Sequence, residues 1–293
     1  MESLKEKVAV ITGGASGLGL AMAKRFAADG ASLVLQDIEP TALEKAVADF
    51  KAEGVKAIGV GGDVSKEETL ENLLKVTLET YGKANILCNN AGVGSGGLSW
   101  ELSHKDWEWV IGVDLWSIIH GIRHFVPQML EQGDECHVVN TASLAGLTSA
   151  PMMGPYNVCK HAVVTLSETM YQEMQLLDTK IGVSVLCPAW VNTKIDESDR
   201  NRPADMQNAE QKEETQAEQL LQMQIKQFLR DGLDPSVIGE AVYDAVKNNK
   251  FYILTHPEFE SAIQTRMEDI LQKRNPSPGA TELTQGVAAP VAK

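Results

Sequence analysis

Short, nearly continuous apolar runs alternate along the chain with longer stretches that carry the 3.6-residue period of amphipathic helices. The runs Val8–Thr12, Ser32–Gln36, Ala57–Gly61, Ile86–Asn89, His137–Thr141 and Gly182–Cys187 predict six strands, and Phe251–Leu254 a seventh. A run that is apolar at both parities belongs to a strand covered on both faces, because a strand with one wet face alternates apolar and polar residues. Leu18, Met22 and Phe26 mark one face of the helix after the first run, and Gly and Asn/Asp turn signals punctuate the segments between runs. This order predicts an α/β fold: a doubly wound parallel sheet of about seven strands with helices on both faces, in a single domain over residues 1–274. In such a sheet ligands bind beyond the carboxyl ends of the strands. Gly13, Asp37, Asp63, Asn89, Ser143 and Pro188 all fall there.

Two segments break the pattern. Asp196–Arg230 is rich in Gln and Glu, with Leu220, Leu221, Ile225, Phe228 and Leu229 near helical spacing. It reads as a mobile helical cap over the site, about residues 194–231, or as a surface helix that only packs. From Asn275 to the end Pro, Ala, Gly, Ser and Thr dominate, the composition of a poorly ordered tail.

The net charge of −14 argues against nucleic acid or an anionic membrane as partner, since phosphate recognition needs clustered Lys and Arg. The opening residues are polar, with no charged-then-apolar leader, and no apolar run nears membrane-spanning length. A cytoplasmic protein is expected. Cys88, Cys136, Cys159 and Cys187 form no CxxC pair and no zinc spacing, so they read as core and the site as metal-free.

The candidate chemistry gathers at a few positions. Gly13-Gly14-Ala15-Ser16-Gly17-Leu18-Gly19 joins the first strand to the first helix. There a glycine turn lets backbone approach a pyrophosphate at the positive helix end. Asp37, ending the second strand, can accept from adenosine ribose hydroxyls and repel a 2′-phosphate, and residues 14–16 and 38–40 supply no Lys or Arg. That favours NAD over NADP; the alternative for Asp37 is a turn or helix cap. Asp63, beside Val64, suits a helix cap or the adenine amino group. Asn89-Asn90-Ala91-Gly92 offers small and amide side chains. Tyr156 and Lys160 lie one helical turn apart, with Ser143 upstream. A free tyrosine titrates near 10. An ammonium about 4 Å away, at an effective dielectric of about 20, favours the phenolate by roughly 4 kcal/mol, about three pKa units. A lowered phenol is the expectation.

Taken together, the Thr12–Gly19 turn, Asn89–Gly92, Ser143, Tyr156-Asn157-Val158-Cys159-Lys160 and Pro188-Ala189-Trp190-Val191-Asn192-Thr193 resemble the short-chain dehydrogenase/reductase family. The resemblance is close over Glu6–Lys194 and implies a Rossmann-type fold that binds NAD. It implies that Tyr156 exchanges a proton with the substrate oxygen during hydride transfer and that Ser143 hydrogen-bonds that oxygen. It also implies that Lys160 lowers the tyrosine pKa and grips the nicotinamide ribose. Cofactor contacts are expected at Gly13, Ser16, Gly17, Leu18, Gly19, Asp37, Asp63, Val64, Asn90, Ala91, Gly92, Tyr156, Lys160, Pro188, Val191 and Thr193, the last two on the carboxamide.

Two positions depart from the family pattern. Asp114 stands where the family usually has a catalytic asparagine, and Ala189 where glycine is common. If only the backbone carbonyl of that asparagine matters, Asp substitutes for it. If the side chain matters, the added negative charge stabilises Lys160 as a cation and alters the pH profile.

The leading function is an NAD-dependent oxidoreductase acting on a small-molecule secondary alcohol or ketone. Gly94–Leu98, Leu144, Met152, Met153 and Trp190 suggest a hydrophobic, alicyclic or aromatic-bearing substrate. The alternatives are a catalytically silent NAD-binding regulator or scaffold and a non-redox enzyme such as a dehalogenase. Loss of Tyr156 or Lys160 would favour the first, and loss of the lysine or an aromatic in the glycine turn the second. The family usually forms dimers or tetramers. Val163, Val164, Leu166, Met170 and Met174, more apolar positions than one core stripe needs, point to a homo-oligomer.

Overall fold

A computed structural model describes residues 1–94, 96–209 and 216–277. The expected tail beyond 277, residues 210–215 of the expected cap, and the side chain of Leu221 lie outside the described residues. The strands are β1 (Val8–Thr12), β2 (Ser32–Asp37), β3 (Ala57–Gly61), β4 (Ile86–Asn89), β5 (Cys136–Thr141), β6 (Ile181–Leu186) and β7 (Tyr252–Ile253). They form one sheet in the order β3-β2-β1-β4-β5-β6-β7. Every pairing is parallel. The order reverses between β1 and β4, and at such a switch point the flanking loops turn to opposite sides and leave a crevice above the carboxyl ends.

The helices are α1 (Gly17–Ala28), α2 (Pro40–Ala52), α3 (Glu67–Tyr81), α4 (His104–Ile111), α5 (Ser117–Gln132), α6 (Gly154–Leu176), α7 (Gln216–Asp231), α8 (Pro235–Asn248) and α9 (Glu260–Gln272). They cover both sheet faces, which explains why all five residues of β1 are buried. Ala9 and Ile11 point to the side packed by Met22 and Phe26 of α1 and Ile238 and Val242 of α8. Val8 and Val10 point to the other, with Phe125 and Met129 of α5 and Met170 and Met174 of α6. Burying each of these large side chains contributes about 1.5–3 kcal/mol.

The expected helical stripe is correct for Met22 and Phe26, which are wholly buried, while Leu18 is half-buried. The surplus of apolar residues on α6 has a different destination from the one expected. Val163, Val164, Met170 and Met174 are all buried in the chain's own core, and Leu166 packs against it. A helix that lies against the sheet and also against α4 and the π-turn before α5 uses a wide apolar face within one chain. Those positions therefore give no argument for an oligomer. All four cysteines are buried free thiols. Among the described residues no helix is long and apolar enough to cross a membrane.

Candidate active site

The loop after β1 is shaped by glycine. Gly13 and Gly17 have φ of +61° and +50°, values that side chains other than glycine adopt only with strain. A Cβ on Gly19 would lie 2.1 Å from the Gly13 carbonyl oxygen and 2.8 Å from Asn90 Nδ2. The turn therefore folds tightly back on the start of α1. Ser16 occupies the N-cap in extended conformation, and its side chain makes no capping hydrogen bond. The first amides of α1 thus keep their donors for the crevice.

Residues on neighbouring strands hold this turn in place. Asp37 is buried; its Oδ2 accepts from the Ala15 amide at 3.0 Å and its Oδ1 from the Glu39 amide at 3.1 Å. The turn-bracing alternative for Asp37 is thereby realised, and each carboxylate oxygen still has a second lone pair. Thr12 was not singled out from the sequence, yet its Oγ1 accepts from the amides of Asn90 and Ala91 at 2.9 and 3.0 Å. Asn90 Nδ2 donates to the Thr12 carbonyl at 3.0 Å, and Thr141 Oγ1 donates to Asn90 Oδ1 at 3.3 Å. Asp63 braces its own loop by accepting from the Ser65 amide at 2.9 Å, ahead of α3 rather than at its cap, and Val64 points into the core.

Ser143, at the end of β5, accepts from the Ala145 amide at 3.1 Å and donates to the Pro188 carbonyl at 3.3 Å. Its hydroxyl lies close enough to that of Tyr156 to favour the phenolate. Tyr156 and Lys160 sit one turn apart on α6, with Lys160 Nζ 5.3 Å from the tyrosine ring centre. Lys160 Nζ donates to the Thr141 carbonyl at 3.2 Å and pairs with Asp114 Oδ2 at 3.2 Å. Gly92 floors the pair: a Cβ there would lie 3.5 Å from Lys160 Nζ and 3.6 Å from Asp114 Oδ1.

Asp114 reaches this position because residues Gly112–Trp116 form one π-helical turn between α4 and α5. Such turns insert an extra residue and re-aim side chains, often at functional sites. The Asp114 side chain has no exposure and that of Lys160 only 3%. Asp114 Oδ1 accepts from the Val93 amide at 2.7 Å. Both neighbours of the carboxyl are donors, so the ionised, acceptor-only form matches them even though burial pushes Asp114 upward. Burial also disfavours the Lys160 cation, but Asp114 and Tyr156 outweigh it and hold the ammonium above its ordinary range.

Tyr156 differs from expectation. Burial of its hydroxyl pushes the phenol up, Lys160 opposes, and Asp114 adds to the rise. The lysine does not win, because the cost of burying the phenolate exceeds its attraction and the Asp114 carboxylate adds to that cost.

The segment after β6 completes the site. Val191 is buried and bridges to Leu233, and Thr193 lies over the glycine turn, 3.4 Å from where a Gly17 Cβ would stand. His256, also missed from the sequence, fixes this segment: Nδ1 accepts from the Ala189 amide at 3.1 Å and Nε2 faces the Trp190 carbonyl at 2.9 Å. The two contacts assign the Nε2–H tautomer. Leu144, Met152, Met153 and Trp190 are half-buried, and Trp190 stacks on Phe228 of α7 with ring centres 5.3 Å apart. The expected cap comprises a 3-10 turn at Ile195–Asn201, another at Ala204–Met206, and α7. A cavity of about 690 Å³ opens beside Ser16, Gly17, Lys24 and Thr193 but does not reach Ser143 or Tyr156. Ser143, Tyr156 and Lys160 gather apart from that hollow.

Residues 7–204 match the family model described as short chain dehydrogenase. A short chain dehydrogenase/reductase from Burkholderia phymatum, solved in complex with NAD, superposes with a TM-score of 0.92 at 43% identity, covering 94% of this chain and 98% of that one. The CLA biosynthesis dehydrogenase/reductase of Lactiplantibacillus plantarum is 32% identical over 272 residues, 92% of this chain and 95% of the relative. The C alpha-dehydrogenase of Sphingobium sp. strain NBRC 103272 / SYK-6 is 33% identical over 277 residues, 94% of this chain and 89% of the relative.

Proposed function

The chain belongs to the short-chain dehydrogenase/reductase family of oxidoreductases, and from that premise we propose that it moves a hydride between NAD and a hydrophobic secondary alcohol or its ketone. One observation carries the reading. Ser143, Tyr156 and Lys160 converge at the carboxyl ends of the strands, in the same crevice as the glycine turn. The residues present fit a dinucleotide. A Cβ at Gly13 would lie 3.0 Å from Ala91 Cα, so glycine there lets the turn pack against the loop after β4, and the α1 amides beside it are free to meet a pyrophosphate.

Asp37, with lone pairs beyond those used by Ala15 and Glu39, would take the adenosine ribose hydroxyls and disfavour a 2′-phosphate. Asn90, Ala91 and Gly92 would form the wall beside the ribose of the nicotinamide. Pro188, Val191 and Thr193 would hold the carboxamide end. A nicotinamide bound there would accept or supply the hydride.

Tyr156 exchanges the proton at the substrate oxygen, and Ser143 hydrogen-bonds the same oxygen as its charge changes. Lys160 holds positive charge near the phenol and Asp114 holds Lys160. The cap over residues 194–231 would close the substrate side, where Leu144, Met152, Met153 and the Trp190–Phe228 stack favour an alicyclic or aromatic-bearing alcohol. The test is Tyr156→Phe with a panel of secondary alcohols. NADH formation is expected to fall at least about a hundredfold, as general acid–base groups contribute, while NAD still binds. Undiminished turnover, or wild-type activity confined to polyols, would overturn the reading.

A further inference from the structure

The 3-10 turn Ile195–Asn201 crosses the crevice and is fastened on both banks. On the β4 side, Ser198 Oγ accepts from the Gly94 amide at 3.1 Å, and a Cβ on Gly94 would lie 3.4 Å from the Ile195 carbonyl oxygen. On the β2 side, Glu39 Oε1 accepts from Arg200 Nε at 3.0 Å and from Asn201 Nδ2 at 2.9 Å, with Arg200 Nη2 at 2.9 Å. β1 lies between β2 and β4, so the turn bridges the switch point itself. Arg200 also draws the turn together, since its Nη1 donates to the Lys194 and Glu197 carbonyls at 3.0 and 2.9 Å. Beyond the turn the chain is anchored again, where Arg202 Nη1 donates to Asp106 Oδ1 at 2.7 Å on α4.

We propose that Glu39 is a positioning residue whose clasp on Arg200 and Asn201 holds this strap across the dinucleotide crevice and so gates cofactor entry and exit. The proposal rests on the reading that the crevice binds a nicotinamide dinucleotide. Asp37 and Glu39 divide the work at the end of β2: the buried carboxylate braces the glycine turn, and the half-exposed one holds the strap. Glu39 and Arg200 side chains are 36% and 34% exposed. A pair that open to water is weak enough to part during each binding event and strong enough to bias the closed form. The Arg202–Asp106 and Ser198–Gly94 contacts are more buried, so the strap would swing from the Glu39 bank.

A gate of this kind has a kinetic signature. The clasp is made between protein groups, so if it acts as a gate alone, loosening it speeds entry and exit together and leaves affinity nearly constant. The experiment is stopped-flow fluorescence of NADH binding and displacement, on wild type, Glu39→Ala, Arg200→Ala and the double variant. Both rate constants are expected to rise about two- to fivefold in each single variant, with Kd changing less than about 1.5-fold. The double variant should fall well short of the product of the two single effects, because both remove the shared Glu39–Arg200 contact.

Unchanged rates, or additive effects in the double variant, would overturn the clasp. Weaker affinity at constant association rate would also overturn it, by making Glu39 part of the binding surface. Wild-type protein that binds no NADH would instead overturn the proposed function, and the clasp with it. Melting temperatures of the four proteins, expected to agree within a few degrees, separate gating from misfolding.

Discussion

Replacing Asp114 by Asn removes one negative charge from the floor of the site while keeping its size and its acceptor for the Val93 amide. Asp114 Oδ2 lies 3.2 Å from Lys160 Nζ. At an effective dielectric of about 20 that contact is worth roughly 5 kcal/mol of Coulomb attraction and holds the lysine above its ordinary range. Lys160 Nζ is in turn 5.3 Å from the Tyr156 ring centre. The carboxylate is therefore within about 8.5 Å of that ring centre, and at the same dielectric it disfavours the phenolate by roughly 1.5–2 kcal/mol. Asp114→Asn should lower the Tyr156 pKa, because a like charge is gone and the ammonium is no longer shared. Alcohol oxidation needs the phenolate, so the acid limb of its pH profile should move to lower pH.

A second change follows at the alkaline side. Lys160 is 3% exposed, and a buried ammonium without a carboxylate partner releases its proton more easily. Asp114→Asn should therefore lose activity at a lower alkaline pH than wild type, so that both limbs of the profile move toward lower pH. The assay is kcat/KM for alcohol oxidation from about pH 5 to 11, where each limb reports an ionisation of the free enzyme. Superimposable profiles would refute the reasoning, and so would an acid limb displaced upward. Either result would mean that the carboxylate does not govern the phenol.

Two further outcomes test the scaffold. Gly19→Ala places a methyl 2.1 Å from the Gly13 carbonyl oxygen, and backbone displacement should cost about 1–3 kcal/mol and abolish NADH binding. Gly61→Ala, with nothing within 4 Å of its Cβ, serves as the control; equal melting temperatures for the two would sink the steric account. His137 is buried against Ser184 Oγ at 2.7 Å, and burial pushes its imidazole down to about 3. Below its ordinary value of 6.5 the unfolded chain takes a proton that the folded one refuses, so stability is lost as pH falls from about 6.5 toward 3. Urea unfolding should show wild type losing about 2 kcal/mol more than His137→Gln between pH 7 and 5; parallel losses would contradict this.

The strands were legible because their signal is local. An all-apolar run between helical periods can satisfy its surroundings only inside a doubly covered sheet, and the observed bounds differ from the expected ones by a residue or two. β2 extends to Asp37, β5 begins at Cys136, and β7 shrinks to Tyr252–Ile253. The chemistry was legible as an inventory of residue types rather than as a set of contacts. Nothing near Lys160 in the chain announces that the phenol beside it will be buried or that a π-helical turn will bring Asp114 to its ammonium, so the sign of the Tyr156 shift was out of reach. The resemblance could flag Asp114 only as a departure, with its side-chain role left open. His256 and Thr12 were passed over for the same reason, since each matters through partners distant in sequence. Residues 38–40 contain no cation, yet folding brings Arg200 to Glu39.

The two ion pairs flanking the crevice use the same interaction to opposite ends, and burial decides which. Lys160 and Asp114 are shut away from water, so removing one partner strands the other as an uncompensated charge, at a cost of several kcal/mol. Such a pair cannot part during turnover. What it can do is set the field that a neighbouring phenol feels, and keep it constant while substrate and dinucleotide come and go. Arg200 and Glu39 are about a third exposed, and water takes over their hydrogen bonds when they separate. Such a pair is poor at fixing a protonation state and well suited to a contact that must be broken and remade. Exchanging their environments would defeat both roles: a wet partner would leave Lys160 weakly held, and a buried clasp would trap whatever lay beneath the strap.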